Sequence, residues 1–234
     1  ATSYKVIMPT PYFLCRLFVC FFLCGQMLWA QQTPPSSSVP LDQTPGTILF
    51  FGTSLTAGYG LLPEQAFPAL IQTQIDSLKW PYRVINAGVS GETSAAGRRR
   101  IEWVLRQTID VFVLELGAND GLRGISLTST MENLQALLDK LKEKSPHTTL
   151  IIAGMEIPPN LGVEYTTQFR SIFPTLAQKN NATLIPFLLK GVAGVPTLNL
   201  VDGIHPTPQG HVLIASTIWQ YLQPILKNKL LATP

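Results

Sequence analysis

Cysteine is scarce in this chain: there are three, Cys15, Cys20 and Cys24, and none after residue 24. From residue 25 onward there is no disulfide framework, no thiolate metal site and no cysteine nucleophile. Charge is also sparse. Asp, Glu, Lys and Arg make up 13% of the residues, and the net charge is +3. Lys5 and Arg16 supply two of those charges, which leaves the rest of the chain at +1. A balance so near neutral carries no electrostatic footprint for nucleic acid. The one basic run, Arg98-Arg99-Arg100, falls in a helical pattern with Ile101, Val104 and Leu105 on its other side, and reads as a solvated helix face. Two nucleotide and hydrolase signatures are missing. Thr56 stands where a Gly-x-Ser-x-Gly elbow needs glycine, and no Gly-Lys-Ser/Thr follows to make a P-loop. There is no internal repeat.

The long apolar runs that would mark membrane spans are lacking too. Leu17 to Cys24 is apolar without a break, but spanning the hydrocarbon core takes about 20 residues. With the basic Lys5 and Arg16 before it and Leu28-Trp29-Ala30 after it, residues 1–30 read as a secretory signal cleaved after Ala30. Retention as an N-terminal anchor is the alternative. Lipid attachment at Cys24 is disfavoured by the bulky Phe22 and Leu23 before it. Export without disulfides fits a periplasmic or secreted bacterial protein with no stable membrane span once the signal is removed. Residues 31–45, rich in Pro, Ser, Thr and Gln, cannot bury enough apolar surface to order themselves and read as a flexible linker. The folded domain is expected over residues 46–228.

Within it, short apolar runs alternate with helical patterns. Strands are predicted at Thr47–Phe51, Arg83–Ala87, Val111–Leu116, Thr149–Ala153 and Thr183–Pro186. Helices are predicted at Glu64–Lys79, Thr93–Gln107, Ser129–Lys144 and Thr166–Lys179. The third of these has Leu134, Leu137, Leu138 and Leu141 at 3.6-residue spacing. Thr207 can cap a last helix with Pro208 at its first position, where proline is tolerated. Strands alternating with helices imply parallel strands and right-handed crossovers. The expected architecture is α/β: a three-layer α/β/α sandwich on a five-stranded, mainly parallel sheet. Ligands in such folds bind beyond the carboxyl ends of the strands.

Four strand-end segments carry side chains with chemistry. Ser54 follows the first strand within Gly52-Thr53-Ser54-Leu55; taken alone, it reads as a turn or helix cap. Gly88, in Asn86-Ala87-Gly88-Val89-Ser90-Gly91, would let a backbone N–H approach a ligand, or would simply turn the chain. Asn119, in Glu115-Leu116-Gly117-Ala118-Asn119-Asp120, can offer amide donors to a developing oxyanion, or bond its own backbone. Asp202 and His205 lie three residues apart, so one loop can hold the carboxylate against the imidazole. With Ser54 they complete the set needed for acyl transfer. A metal site of Asp202, His205 and His211 lacks a fourth ligand, and no metal is expected. His147 reads as an exposed residue.

Together these segments resemble the GDSL (SGNH) hydrolases, in the same order and after the same strands, from about Thr47 to about Leu226. The branch they resemble is the small thioesterase I, lysophospholipase and arylesterase type. Ala153-Gly154-Met155-Glu156-Ile157-Pro158-Pro159-Asn160 belongs to that branch. The resemblance implies a flavodoxin-like sandwich and a serine esterase with Ser54 as nucleophile, His205 as base and Asp202 orienting it. It implies an oxyanion hole of the Ser54 and Gly88 N–H groups and the Asn119 side chain. It also implies no cofactor, and a small-molecule ester or thioester as the partner. A monomer is expected. One position departs from the family, which has aspartate where this chain has Thr53. Short loops suit small to medium acyl chains. Leu55 and Tyr59 are candidate substrate contacts. Leu161, Val163, Leu188, Leu189, Val192 and Val195 either line an acyl groove or pack their loops onto the core. A carbohydrate O-acetylesterase and a non-catalytic binding module of the same fold are the alternatives.

Overall fold

The computed structural model describes residues 45–232. The expected signal segment and linker lie outside the described residues, apart from Pro45. Five strands form one sheet: β1 (Gly46–Gly52), β2 (Tyr82–Gly88), β3 (Val111–Glu115), β4 (Thr149–Ala153) and β5 (Thr183–Ile185). Their order is β2-β1-β3-β4-β5, and every neighbouring pair is parallel. The expected α/β architecture is what the chain adopts.

The three inner strands are buried on both faces, so they read as unbroken apolar runs, Ile48 to Phe51 in β1 and Val111 to Leu114 in β3. Side chains alternate across the sheet. Phe50 meets Phe67 edge-on, at the start of α2 (Phe67–Ser77), with ring centroids 5.4 Å apart. Phe51 faces the other way. A Cβ on Gly97, in α3 (Ser94–Val104), would lie 3.1 Å from its ring. Helix α2 packs against the final helix, and α3 packs against α5 (Leu127–Lys144), which packs against α6 (Val163–Asn180). Leu134, Leu137, Leu138 and Leu141 of α5 are all buried, each contributing about 1.5–3 kcal/mol relative to an exposed position.

Two helices were not legible from periodicity: α1 (Ser54–Ala57) and α4 (Ala118–Leu122). Each is little more than one turn and stands directly after a strand, which places both at the carboxyl edge of the sheet. The final helix α7 (Pro208–Ala232) begins where expected. Thr207 Oγ1 accepts the Gly210 N–H at 3.3 Å. No described helix is long and apolar enough to cross a membrane.

Candidate active site

Strand order reverses direction at β1, with β2 on one side and β3 on the other. That switch point opens the crevice where such sheets bind ligands. Ser54 and Asn119 stand on its two sides, after β1 and β3.

The Ser54 turn is built from its neighbours. Thr53 caps α1 in an extended conformation, and its hydroxyl accepts the Leu55 N–H at 3.5 Å. Gly58 closes the turn at φ +76°, donating its N–H to the Ser54 carbonyl at 3.0 Å. Gly52 must be glycine, because a Cβ there would sit 2.1 Å from Thr56 Oγ1. The Ser54 N–H has no partner among the described residues.

His205 reaches this turn from 151 residues away in the chain. Its Nε2 lies 2.9 Å from Ser54 Oγ. Its Nδ1 lies 2.7 Å from Asp202 Oδ2. The other carboxylate oxygen, Oδ1, accepts the N–H groups of Ile204 at 2.9 Å and His205 at 3.0 Å. Bonding from the His205 N–H, then from its ring and from the Ile204 N–H, holds the Asp202 carboxyl down at about 2. Gly203, at φ +71°, permits the tight bend. The loop is tied down by an Asn199–Pro206 bridge and by the Leu200 N–H donating to the His205 carbonyl at 2.7 Å. Tyr59 lies on the imidazole with centroids 4.4 Å apart.

Asn119 is the second residue of α4, which follows Gly117 at φ +111°. Its Nδ2 donates to the Glu92 carbonyl at 3.0 Å, so one amide hydrogen is fixed and the second is free to serve a ligand. Glu92 is itself anchored. Its carboxylate is held by both Arg100 Nε and Nη2, and Arg100 also donates to the Ala87 carbonyl at 2.8 Å and lies 3.8 Å from the Phe51 ring centroid. Arg98 and Arg99 face solvent, but Arg100 does not belong to the solvated face expected of the run.

Gly88 does not present its N–H to the site. That group donates to Asn86 Oδ1 at 3.0 Å. A Cβ at residue 88 would lie 2.3 Å from the Ala57 nitrogen, so the glycine serves to let β2 close against the Ser54 turn. The neighbouring turn holds a different glycine, Gly91, at φ +76°. Its N–H has no partner among the described residues, and it adjoins the Glu92 carbonyl that anchors Asn119. The positive φ could not be read from the sequence.

A cavity of about 330 Å³ runs from Ser54, Asn119 and His205 along Leu55, Leu122, Met155, Ile157, Leu189 and Ile204. Leu55 lines this cavity beside Ser54. Leu188 and Val192 are fully buried in the core, while Leu161 and Val163 are exposed. Of the six loop residues weighed for an acyl groove, Leu189 alone lines the cavity. Tyr59 packs on His205 and is not in the cavity wall. Met155 and Ile157 were not singled out. Their signal was position, two and four residues past the end of β4.

His211 is a core residue. It accepts the Phe67 N–H on Nδ1 at 3.0 Å and stacks on that ring. Burial first, then the charge of His205, pushes its pKa down to about 4. Among the described residues, no group of three or more His, Cys, Asp or Glu is placed to hold a metal ion.

Comparison with known proteins identifies the family. Residues 50–213 match the GDSL-like lipase/acylhydrolase family. Esterase TesA of Pseudomonas aeruginosa is 35% identical over 181 residues, covering 77% of this chain and 89% of the relative. Thioesterase 1/protease 1/lysophospholipase L1 of Escherichia coli K12 is 35% identical over 185 residues, covering 78% and 86%. The crystal structure of psychrotrophic esterase EstA from Pseudoalteromonas sp., inhibited by monoethylphosphonate, superposes with a TM-score of 0.73 at 34% identity, covering 78% of this chain and 99% of that one. With its strand-end motifs, its parallel sheet and these relatives all in register, the chain belongs to the GDSL-like lipase/acylhydrolase family and is a carboxylic ester hydrolase.

Proposed function

We propose that the chain hydrolyses esters or thioesters of small to medium acyl chains through an acyl-enzyme on Ser54. The observation that carries this is the continuous line from Ser54 Oγ to His205 to Asp202, at 2.9 Å and 2.7 Å. His205 Nε2 takes the Ser54 proton as Oγ attacks the acyl carbonyl. Asp202, accepting from Nδ1, fixes the tautomer and stabilises the imidazolium. The tetrahedral oxyanion takes hydrogen bonds from the Ser54 N–H, the free amide hydrogen of Asn119 and the Gly91 N–H. The alcohol or thiol leaves with the proton from His205. Water, deprotonated by the same imidazole, then cleaves the acyl–Oγ bond and restores Ser54. The apolar cavity wall favours an acyl chain over a sugar as the group held there. The basic start and apolar run of residues 1–30 support action in the periplasm or outside the cell.

The test is Ser54→Ala on p-nitrophenyl butyrate. Loss of a single triad member in a serine hydrolase costs up to about 10⁶ in kcat. We expect the variant to fold and to retain less than about a thousandth of wild-type kcat. A folded variant above that level would remove Ser54 from the mechanism.

A further inference from the structure

Glu115 is the end residue of β3 and is 1% exposed. It does not line the cavity, yet all its side-chain hydrogen bonds go to Thr53 and Thr56, on either side of Ser54. Its Oε2 accepts the Thr53 N–H at 2.9 Å and the Thr56 N–H at 3.2 Å. The same oxygen accepts the Thr56 hydroxyl at 2.9 Å and lies 3.0 Å from the Thr53 hydroxyl, which is also 2.9 Å from Oε1. We propose that Glu115 is a positioning residue that clamps the nucleophile turn, setting where Ser54 Oγ stands relative to His205. The inference rests on the reading of Ser54 as nucleophile.

A four-residue helix has too few internal bonds to hold itself in place. Its position must come from outside, and here it comes from one oxygen gathering donors on both sides of Ser54. Gly52 makes room for that oxygen, since a Cβ there would lie 2.6 Å from it. The clamp also gives Thr53 a purpose. Its hydroxyl hydrogen-bonds the Glu115 carboxyl at 2.9 and 3.0 Å, tying the residue before Ser54 to the end of β3. A glutamine can keep the arrangement. Its carbonyl oxygen can replace Oε2 as acceptor, while its NH₂ group donates to Thr53 Oγ1. Alanine leaves both backbone N–H groups without an acceptor.

The experiment uses the full chain carrying Glu115→Ala or Glu115→Gln. It compares steady-state hydrolysis of p-nitrophenyl butyrate with the rate of p-nitrophenolate release from diethyl p-nitrophenyl phosphate. In the second reaction Ser54 Oγ bonds to phosphorus, the nitrophenolate departs and His205 takes the proton. Displacing a reacting group by about 1 Å can cost about 10²-fold. For Glu115→Ala we expect kcat and the phosphorylation rate to fall together by about 10²-fold, with KM within about threefold of wild type. For Glu115→Gln we expect both rates within about tenfold of wild type. A folded Glu115→Ala with kcat within about threefold of wild type would overturn the clamp, and so would equal losses in both variants. If Glu115→Ala does not fold, Thr56→Val carries the test, because it removes one donor at constant shape. A severalfold fall in kcat at unchanged KM supports the clamp, and unchanged kcat overturns it. Phosphorylation of the wild type at Ser54 tests the nucleophile by itself, so the two readings can fail separately.

Discussion

Glu115 also makes stability depend on pH. Burial pushes its carboxyl up to about 7 from an ordinary 4.5, and the hydrogen bonds from Thr53 and Thr56 only partly oppose this. Because the folded value is the higher one, the native state keeps a proton that the unfolded chain has released. That stability is fully present below 4.5 and is lost as pH rises through about 7. At about 1.36 kcal/mol per unit, the change is on the order of 3 kcal/mol. Glu115→Gln cannot titrate, so the stability of wild type relative to the variant should fall by that order between about pH 4 and pH 8. Denaturant midpoints at the two pH values measure it, and a difference that stays flat would place Glu115 outside this titration. Residue type and strand-end position made Ser54, Asn119, Asp202 and His205 candidates, and the family resemblance gave each its expected role. Glu115 was not legible. Its role lies in what it touches, and nothing in Glu115-Leu116-Gly117 announces that the carboxylate turns inward under the neighbouring strand. Gly88 was not separable from Gly91 for a similar reason: both can turn a chain, and only the fold shows that the Gly88 N–H is spent on Asn86 while the Gly91 N–H has no partner among the described residues.

At the scale of elements, the strands were readable because the inner three are buried on both faces, and the long helices because their leucines repeat. Helices α1 and α4 were invisible, being shorter than the period that would reveal them. The basic run was read as a solvated face because helical spacing says which side a residue occupies, not what neighbouring loop folds over it. The segment before α3 folds back so that Glu92 meets Arg100, with side-chain exposures of 3% and 22%. This pair ties the turn holding Asn119 to helix α3 and, through the Ala87 carbonyl, to β2. Removing one member of a buried pair leaves the other charge uncompensated, at a cost of about 3–5 kcal/mol. Arg100→Leu should therefore lower unfolding free energy by about that much. Adding Glu92→Gln should restore part of it, since the stranded charge is then gone. Urea titrations of the single and double variants would check this. A single variant within about 0.5 kcal/mol of wild type, the range of ordinary surface substitutions, would return Arg100 to the solvated face.

The whole molecule explains why residues 151 positions apart meet. All five strands are parallel, so every strand-end loop opens on one edge of the sheet, and a serine after the first strand and a histidine after the last share a crevice. That logic was available from the alternation of strands and helices alone. The shape of the crevice was not, since it depends on which loop side chains turn inward. Leu122, Met155, Ile157 and Leu189 do, and they make an open trough of about 330 Å³. Burying one methylene is worth about 0.8 kcal/mol, or about fourfold in kcat/KM. Along a series of p-nitrophenyl esters, kcat/KM should rise by about that factor per methylene while the chain lies in the trough. Once the chain reaches solvent, each added methylene stays hydrated and contributes nothing, so the curve should flatten at medium length. Leu122→Trp tests whether this trough is the acyl site. Leu122 is half-exposed on α4, so a larger ring there can shorten the trough without entering the core. The break should then move to shorter chains with the acetate rate little changed. A curve that climbs steadily to palmitate, or one that Leu122→Trp leaves in place, would put the acyl chain elsewhere.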